Sequence, residues 1–167
     1  MSELQRLGAD HAPAVLAFEV ANRAYFSASI SDRGDEYFDQ FTERHRALLA
    51  EQEARIGAYY VLVAGDGAVL GRFNLIFAGD STAELGYRVA QHAAGRGVAT
   101  ATVRELCELA AAQFGLRTIR AAVSSENAAS QKVLLKAGFA PAGPADPAHI
   151  GGKPGTWYQR NLTADRP

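Results

Sequence analysis

The feature that most constrains this chain is a glycine turn placed between an extended segment and a helix. Residues 86–106 read GYRVAQHAAGRGVATATVREL, with Gly95 and Gly97 at the turn. Such a turn aims backbone N–H groups and the positive end of a helix dipole at one point, which suits an anion and often a phosphate. Glycine also serves in plain strand-to-helix connections, so the turn by itself leaves both interpretations open.

Length and composition predict a single domain over residues 1–167. The chain has 167 residues, 48% of them hydrophobic, which is enough for one sizeable core. The net charge is −1 and no Lys/Arg run stands out, so we expect neither a nucleic acid nor a membrane as partner. No apolar run approaches the ~20 residues that span a bilayer, and the N-terminus lacks the pattern of an export signal. We expect a cytoplasmic protein, and a homodimer is left open.

The single cysteine and the four histidines predict neither a disulfide nor a metal site. Cys107 has no second cysteine to pair with, and the histidines and Cys107 do not show metal-ligand spacing. Cys107 also falls on the apolar stripe of its predicted helix, where a free cysteine usually behaves as a small hydrophobe. We therefore expect no bound metal and no cysteine nucleophile.

The first third of the chain predicts two helices. Asp10 as N-cap and Pro13 in the first turn begin a helix that continues to about Phe26. A second, amphipathic helix is predicted over residues 36–55, where apolar side chains recur at helical spacing between charged ones.

The remaining pattern predicts an α+β domain. Three β-rich runs over residues 58–90, separated by turns at 65–67 and 79–81, indicate an antiparallel meander. A helix from about Val98 to Phe114, a strand, a short helix closed by Gly138, a Pro/Gly-rich loop over 141–155 and a last strand complete the order. This order describes a mixed, mostly antiparallel sheet flanked by helices. A dinucleotide fold or a triphosphate loop would need glycine fingerprints that are absent.

Four segments together resemble the GNAT-fold acyltransferases of the RimJ/RimL type. They are AELGYRVA at 83–90, GRGVATATVREL at 95–106, VSSENAASQKVLLKAGF at 123–139 and WYQRNL at 157–162. The resemblance covers nearly the whole chain, in order and at the family's spacing. It implies the GNAT acyl-CoA N-acyltransferase fold and an N-acetyltransferase that uses acetyl-CoA as co-substrate and no metal.

The resemblance also implies the coenzyme contacts. In the family the second segment binds the pyrophosphate of acetyl-CoA, and the third supplies an Asn and a Ser near the pantetheine and thioester. Carried onto this sequence, the implied contacts are Tyr87, Val89, Ala94, Gly95, Arg96, Gly97, Val98, Ala99, Thr100, Asn127 and Ser130. Ala94 stands where the family usually has Gln or Arg, so we expect the backbone to provide more of the affinity than side chains do.

Transfer of an acetyl group to an amine needs a neutral amine and a stabilised oxyanion. The resemblance implies that Glu84, in the strand before the turn, faces the acceptor and accepts the amine proton through a water. A solvated strand carboxylate is the alternative. A backbone amide near Tyr87 to Val89 would polarise the thioester carbonyl if the strand bulges there.

The departing thiolate needs a proton, and the resemblance implies its source. Many relatives outside this subgroup use a tyrosine seven residues beyond the Asn, but that position holds Leu134 here. The hydroxyl of Ser130, three residues after Asn127, is the predicted replacement. Helix capping by Asn127 or Ser130 is the alternative, since both residue types commonly cap helices.

The acceptor is predicted less sharply than the donor. By resemblance, the first two helices and their connection cover the acceptor, and this stretch, NRAYFSASISDRGDEYFDQF, is rich in aromatic and acidic residues. The predicted acceptor contacts are Tyr25, Phe26, Tyr37 and Glu84. An amine-bearing, cationic substrate fits such a lining, although the aromatic residues can belong to the core and the acidic ones to a solvated helix start.

Three classes of function remain open at this level. The resemblance favours an N-acetyltransferase that acts by direct attack on a protein N-terminal α-amine, as on a ribosomal protein. A small polyamine or an antibiotic amine is the next acceptor. A catalytically silent CoA-binding module and a nucleotide-binding protein that uses the same turn are the alternatives from other classes.

Overall fold

The computed structural model describes residues 1–162, over which seven strands and six α-helices follow one another. The strands are β1 (Ser2–Arg6), β2 (Gly57–Ala64), β3 (Val69–Gly79), β4 (Thr82–Val89), β5 (Thr118–Ser124), β6 (Ala140–Ala145) and β7 (Gly155–Asn161). The helices are α1 (Ala12–Ala21), α2 (Arg23–Ser27), α3 (Asp35–Asp39), α4 (Phe41–Glu53), α5 (Val98–Phe114) and α6 (Ala128–Lys136).

The strands form a mixed sheet in the order β1-β2-β3-β4-β5-β7-β6. β4 and β5 run parallel, whereas β1 with β2, β5 with β7 and β6 with β7 are antiparallel. The predicted α+β class, with a mixed and mostly antiparallel sheet, is confirmed. No helix within residues 1–162 combines the length and apolar character needed to cross a membrane.

The chain divides into two units that share strands β3 and β4. Unit 1 comprises Met1–Leu75 and Tyr87–Ala93, and unit 2 comprises Ile76–Gly86 and the chain from Ala94 onward. The expectation of one domain over residues 1–167 stays a prediction, and residues 163–167 lie outside the described part.

Unit 1 is built around an aromatic and aliphatic core. β2 is buried over its first six residues, so it lies in the interior of the unit. The ten core residues that contact one another are Leu7, Val15, Phe18, Phe26, Tyr37, Phe41, Tyr59, Val61, Val69 and Ala90. Val15 and Phe18 are three apart on α1 and therefore lie on one face of that helix.

The first predicted helix is interrupted at Asn22. The Asn22 side-chain amide donates to the Phe18 carbonyl at 2.9 Å, and its backbone (φ −106°) leaves the helical region, so α1 ends and α2 begins as a separate helix. The predicted N-cap Asp10 was wrong. It lies inside a 3₁₀ turn, Ala9–His11, and the residue before α1 is His11.

The second predicted helix is also interrupted. Gln40, with φ −103° and ψ 18°, separates α3 from α4. α4 ends at Glu53, two residues before the predicted limit, because Arg55 adopts a positive φ of 59° that a right-handed helix cannot contain.

Two edge strands were missed by the sequence analysis. β1 pairs with β2 from Ser2 opposite Ala64 to Arg6 opposite Tyr60. β6 lies within the predicted Pro/Gly-rich loop, where its register against β7 shifts between Pro141 and Pro144. Proline lacks a backbone donor and is tolerated at a sheet edge and at a bulge, which explains why a strand with two prolines forms here.

The predictions for unit 2 are largely confirmed. α5 has the predicted bounds and ends at Gly115, whose φ of 63° is left-handed. Its buried face contains Val103, Leu106, Cys107 and Ala110, as the apolar stripe indicated. β5 then pairs with β7 along its whole length, from Thr118 opposite Asn161 to Ser124 opposite Gly155.

Candidate active site

The glycine turn presents open backbone in front of α5. Gly95 and Gly97 have φ values of 76° and 77°, a region that L side chains rarely adopt. A Cβ atom placed on either glycine meets nothing within 4 Å. Both residues and Arg96 between them are exposed, so a ligand can approach the backbone of the turn directly.

The first turn of α5 offers backbone donors to that ligand. Gly97 caps the helix without a side-chain hydrogen bond, and no acidic residue lies in the first turn. The Ala101 N–H donates to the Gly97 carbonyl at 3.0 Å, which leaves the preceding N–H groups of residues 98–100 without an intrahelical acceptor. Together with the dipole of a 17-residue helix, these donors favour negative charge in front of α5.

Asn127 caps α6 and still has an amide to offer. Its Oδ1 accepts a hydrogen bond from the Ser130 N–H at 3.1 Å, so the capping role considered for Asn127 is observed. Its Nδ2 group makes no hydrogen bond to a described residue and can donate to a ligand. Ser130 lies half-buried in the first turn of α6, and Leu134, one turn further on, is fully buried.

Glu84 is a half-buried residue of β4 whose carboxylate has no partner among the described residues. It lies opposite Arg120 at the last pair of the short parallel ladder between β4 and β5. No other residue of the described chain forms a hydrogen bond or ion pair with it. The Arg120 guanidinium lies 4.2 Å from the centroid of the Trp157 ring, and its buried Nε has no hydrogen-bond partner among the described residues. The Glu84 carboxylate is therefore not held by another side chain within residues 1–162.

The last part of β4 carries the other predicted strand contacts. The Tyr87 ring stacks on Phe73 with centroids 5.7 Å apart. Val89 is half-buried, and a Cβ on Gly71 would lie 3.4 Å from it and 3.2 Å from the Arg88 carbonyl, which shows how closely the backbone packs here. The bulge near Tyr87 to Val89 stays a prediction.

A buried carboxylate in unit 1 was not foreseen from the sequence. Glu19 on α1 is 1% exposed and forms ion pairs with Arg72 at 2.7 Å, Arg33 at 3.0 Å and Arg88 at 3.3 Å. Burial raises the pKa of Glu19, but the three guanidinium charges, led by Arg33, lower it more and hold the pKa below its usual value. These four residues are called the Glu19 cluster below.

Two of the four acidic residues of the 22–41 stretch, Asp32 and Asp35, are bound by an arginine. Arg23 donates to Asp32 at 2.8 Å and 2.9 Å and to Asp35 at 2.9 Å. The hydrogen bonds from Arg23 hold the pKa of Asp32 at about 2. Asp32 is thus tied to Arg23 by both oxygens, whereas Asp35, Glu36 and Asp39 remain exposed.

The predicted acceptor aromatics surround the Glu19 cluster. Phe26 and Tyr37 are each 7% exposed and belong to the core, whereas Tyr25 is exposed and contacts the Phe26 ring. The Arg88 guanidinium lies 4.8 Å from the centroid of the Phe26 ring, and the Tyr37 hydroxyl accepts a hydrogen bond from Arg72 at 3.1 Å. The structure thus places two of the three predicted aromatic residues against arginines rather than against carboxylates.

One signal in the sequence pointed to Glu19. The residue follows Val15 and Phe18 at helical spacing, so it occupies a core position of α1. A carboxylate at such a position requires buried cationic partners. The sequence does not show which arginines these are.

No group of three or more His, Cys, Asp or Glu side chains within residues 1–162 is arranged to hold a metal ion. Cys107 is a buried free thiol, 2% exposed, on the apolar face of α5. The His45 Nε2 group donates to the Gly8 carbonyl, 2.9 Å away, and His11 Nε2 lies at the same distance from the Gln5 side-chain oxygen.

Comparison with known proteins relates this arrangement to one family. A family model described as the acetyltransferase (GNAT) domain matches residues 3–140. The probable N-acetyltransferase YjcK of Bacillus subtilis (strain 168) is 30% identical over 133 residues, which make up 74% of this chain and 72% of that protein.

Solved structures show the same fold. The ribosomal-protein-S5-alanine acetyltransferase from Vibrio fischeri superposes with a TM-score of 0.88 at 18% identity, covering 99% of this chain and 96% of that chain. RimJ of Mycobacterium smegmatis, solved with CoA-disulfide, gives 0.87 at 20% identity, covering 99% and 84%. Spermidine N-acetyltransferase from Vibrio cholerae, solved with CoA and spermine, gives 0.80 at 17% identity, covering 97% and 96%. The predicted fold is confirmed.

The Glu19 cluster leads to a prediction about stability and pH. We expect Glu19→Gln to lower the free energy of unfolding by about 3–5 kcal/mol near neutral pH, because it leaves buried guanidinium charge uncompensated. The folded pKa lies below the unfolded value, so the contribution is complete above about pH 4.5 and is lost as the pH falls through the folded pKa. Urea unfolding at neutral and at acidic pH measures both effects.

The matched control is Glu43→Gln. Glu43 is an exposed residue of α4, and we expect its replacement to change the free energy of unfolding by less than about 0.5 kcal/mol. Equal effects of the two substitutions near neutral pH would show that the Glu19 cluster does not stabilise unit 1.

Proposed function

The chain belongs to the acetyltransferase (GNAT) family, and we propose that the amine it acetylates is the α-amine of a protein N-terminus. Family membership makes it an N-acetyltransferase whose acetyl donor is acetyl-CoA. The observation that carries the donor side is the uncapped glycine turn before α5. The acceptor class and the individual residue roles are our proposal.

Acetyl-CoA is bound mainly by backbone. The N–H groups of the Gly95–Gly97 turn and of the first turn of α5 donate to the diphosphate, and the Thr100 hydroxyl is near. Ala94 adds no side-chain donor, which makes the open backbone decisive. The Asn127 Nδ2 group donates to the pantetheine, while its Oδ1 keeps α6 capped.

A peptide acceptor agrees with the charge of unit 1. Polyamines and aminoglycosides carry several positive charges and are best held by free carboxylates. Of the four carboxylates in the 22–41 stretch, those of Asp32 and Asp35 accept hydrogen bonds from Arg23 and that of Glu36 accepts one from Gln40. Similarity in fold to ribosomal-protein acetyltransferases is compatible with a peptide acceptor, although the fold is shared with the spermidine enzyme.

The proposed reaction is a direct transfer in which an N–C bond forms and the C–S bond of the thioester breaks. The bound coenzyme supplies an activated acetyl carbonyl. Glu84 accepts the proton of the acceptor ammonium through a water, so that the amine is neutral when it attacks. The attacking nitrogen releases its second proton to solvent as the tetrahedral intermediate collapses, and Ser130 donates its hydroxyl proton to the thiolate as it leaves and regains a proton from solvent.

The test of the function is a panel of acceptors. We expect the purified protein with acetyl-CoA to release free thiol and to add one acetyl group to the N-terminus of peptides, as seen by intact mass. Spermidine and kanamycin serve as the small-molecule acceptors. Acetylation of these amines alone would refute the peptide proposal, and coenzyme binding without turnover of any amine would indicate a silent binding module.

The turn assignment predicts a loss of coenzyme affinity in Gly97→Val. A branched side chain would occupy the space in front of the turn and is strained at a φ of 77°. We expect the dissociation constant for acetyl-CoA to rise by at least about tenfold, measured by calorimetry.

Gly115→Val is the matched control for backbone strain. Gly115 lies at the other end of α5, also with a positive φ of 63° and nothing within 4 Å of an added Cβ. We expect a similar loss of thermal stability and an unchanged affinity for acetyl-CoA. If both variants bind the coenzyme as tightly as the wild type, the diphosphate does not lie at the turn.

The catalytic roles predict two different kinetic effects. Glu84→Gln should lower kcat by about a hundredfold and flatten the acid limb of the pH–rate profile, with coenzyme affinity unchanged. Ser130→Ala should lower kcat by roughly ten- to a thousandfold. Glu108→Gln, on the exposed side of α5, is the control and should behave as wild type.

Capping gives a distinct result for Ser130. If Ser130 only caps α6, Ser130→Ala will lower the melting temperature and leave the rate per folded molecule near that of the wild type. An unaltered pH profile in Glu84→Gln would mean that Glu84 is a structural carboxylate of β4.

A further inference from the structure

Glu84 and Arg120 are neighbours on one face of the sheet in unit 2. They are Cα partners in the parallel ladder between β4 and β5, so their side chains leave the sheet on the same side. Along β5 the buried residues Ile119, Ala121 and Val123 alternate with half-buried ones, and Arg120 belongs to the half-buried set. The two side chains therefore share the more open face of these strands, and both belong to unit 2.

The carboxylate and the guanidinium do not bind each other. Neither side chain forms an ion pair or a hydrogen bond with a residue of the described part, although neighbouring strands are only about 4.8 Å apart. The Arg120 guanidinium lies over the Trp157 ring instead, 4.2 Å from its centroid. The face of an indole attracts a cation, and this contact orients the guanidinium toward β7 rather than toward Glu84. Both charged groups therefore keep their capacity to bind a ligand.

The connection between β6 and β7 holds the Trp157 ring in place. The His149 ring contacts it with centroids 5.2 Å apart. His149 belongs to a 3₁₀ turn, Pro147–Ile150, which the Asp146 side chain caps. Arg120 thus rests on an aromatic ring that has a contact of its own, which limits the directions in which the guanidinium donors point.

A ligand that satisfies both groups carries an ammonium and an oxygen acceptor close together. Glu84 attracts the ammonium, and the Arg120 guanidinium, which has only donors, binds an oxygen. The first residue of a peptide has this combination, because its α-amine and its carbonyl oxygen are attached to adjacent carbon atoms. Spermidine and kanamycin have no carbonyl group, and their additional ammonium groups are repelled by the guanidinium.

We propose that Arg120 determines acceptor specificity by donating a hydrogen bond to the carbonyl oxygen of the residue whose α-amine is acetylated. The inference rests on the proposed function, because it takes Glu84 as the group that faces the acceptor amine. The contact involves the main chain of the acceptor, so it distinguishes an α-amino carbonyl compound from a plain amine whatever side chain the first residue has.

The experiment compares two peptides that differ in one atom. Both have the same sequence and an amidated C-terminus, and in one of them sulfur, a weaker hydrogen-bond acceptor, replaces the first carbonyl oxygen. We expect kcat/KM to be about tenfold higher for the oxygen peptide than for the sulfur peptide. Binding of both peptides to the protein saturated with CoA is measured by calorimetry, so that a preference is seen even without turnover.

Substitution of Arg120 connects the preference to this side chain. Arg120→Met removes every donor and keeps an unbranched chain, so we expect the oxygen-to-sulfur ratio of kcat/KM to fall to about twofold or less. Any effect of the sulfur on the amine itself is common to all variants, so the change in the ratio isolates the contact. Arg120→Lys keeps the charge but not the planar group, and its ratio should lie between the two.

The matched control is Arg117→Met. Arg117 is an exposed arginine directly before β5, and we expect its replacement to keep the wild-type ratio. Melting curves verify that each variant is folded. The free amino acid that corresponds to the first residue of the peptide is included as an acceptor, because its carboxylate is another oxygen acceptor beside an α-amine.

The outcomes separate this inference from the proposed function. Equal kcat/KM and equal binding of the oxygen and sulfur peptides in the wild type would overturn the carbonyl contact and leave N-terminal acetylation intact. A wild-type ratio that survives in Arg120→Met would overturn the assignment to Arg120. A higher kcat/KM for the free amino acid than for the peptide would overturn the peptide carbonyl as the group that Arg120 binds. Acetylation of spermidine with no peptide bound or acetylated would overturn both the inference and the proposed function.

Discussion

The rest of unit 1 depends on one buried carboxylate. Glu19 lies on the buried face of α1. It forms ion pairs with Arg33 in the segment after α2, with Arg72 on β3 and with Arg88 on β4. One side chain therefore connects the helical N-terminal segment to two strands. Breaking such a buried pair costs about 3–5 kcal/mol, although the desolvation of the charges cancels much of what the pair contributes. Its main consequence is geometric, since the arginines are held in fixed positions beside Phe26 and Tyr37.

The polar groups that characterise unit 2 are backbone N–H groups, whereas those of unit 1 are charged side chains. The donors before α5 exist because Gly97 takes a left-handed conformation and offers no capping side chain, so the helix start stays open to an anion. Asn127 has two roles open to it at α6. Its amide oxygen caps the helix, and its amide nitrogen can still donate a hydrogen bond to a ligand. A side chain at either glycine or a stronger cap at α5 would compete with the ligand for these donors.

Much of the site was predictable because it is local in sequence. The glycine turn, the bounds of α5, the Asn127 cap and the position of Glu84 on a strand all follow from residues within one turn or one strand. β6 was taken for a loop because Pro141 and Pro144 lack donors, and only its place at the sheet edge lets it pair with β7. The helix breaks at Asn22 and Gln40 were missed because their side chains and dihedral angles, not the apolar period, end the helices.

The sequence by itself determined the family, the α+β order and the glycine turn before α5, because a short-range pattern of glycine, apolar spacing and caps encodes each of them. Only the tertiary structure decided the charge around the predicted acceptor aromatics. Arg23 binds both Asp32 and Asp35, and three arginines from distant positions converge on Glu19. Ion pairs between residues 9 to 69 positions apart depend on chain packing, so no local pattern reveals which charges are paired.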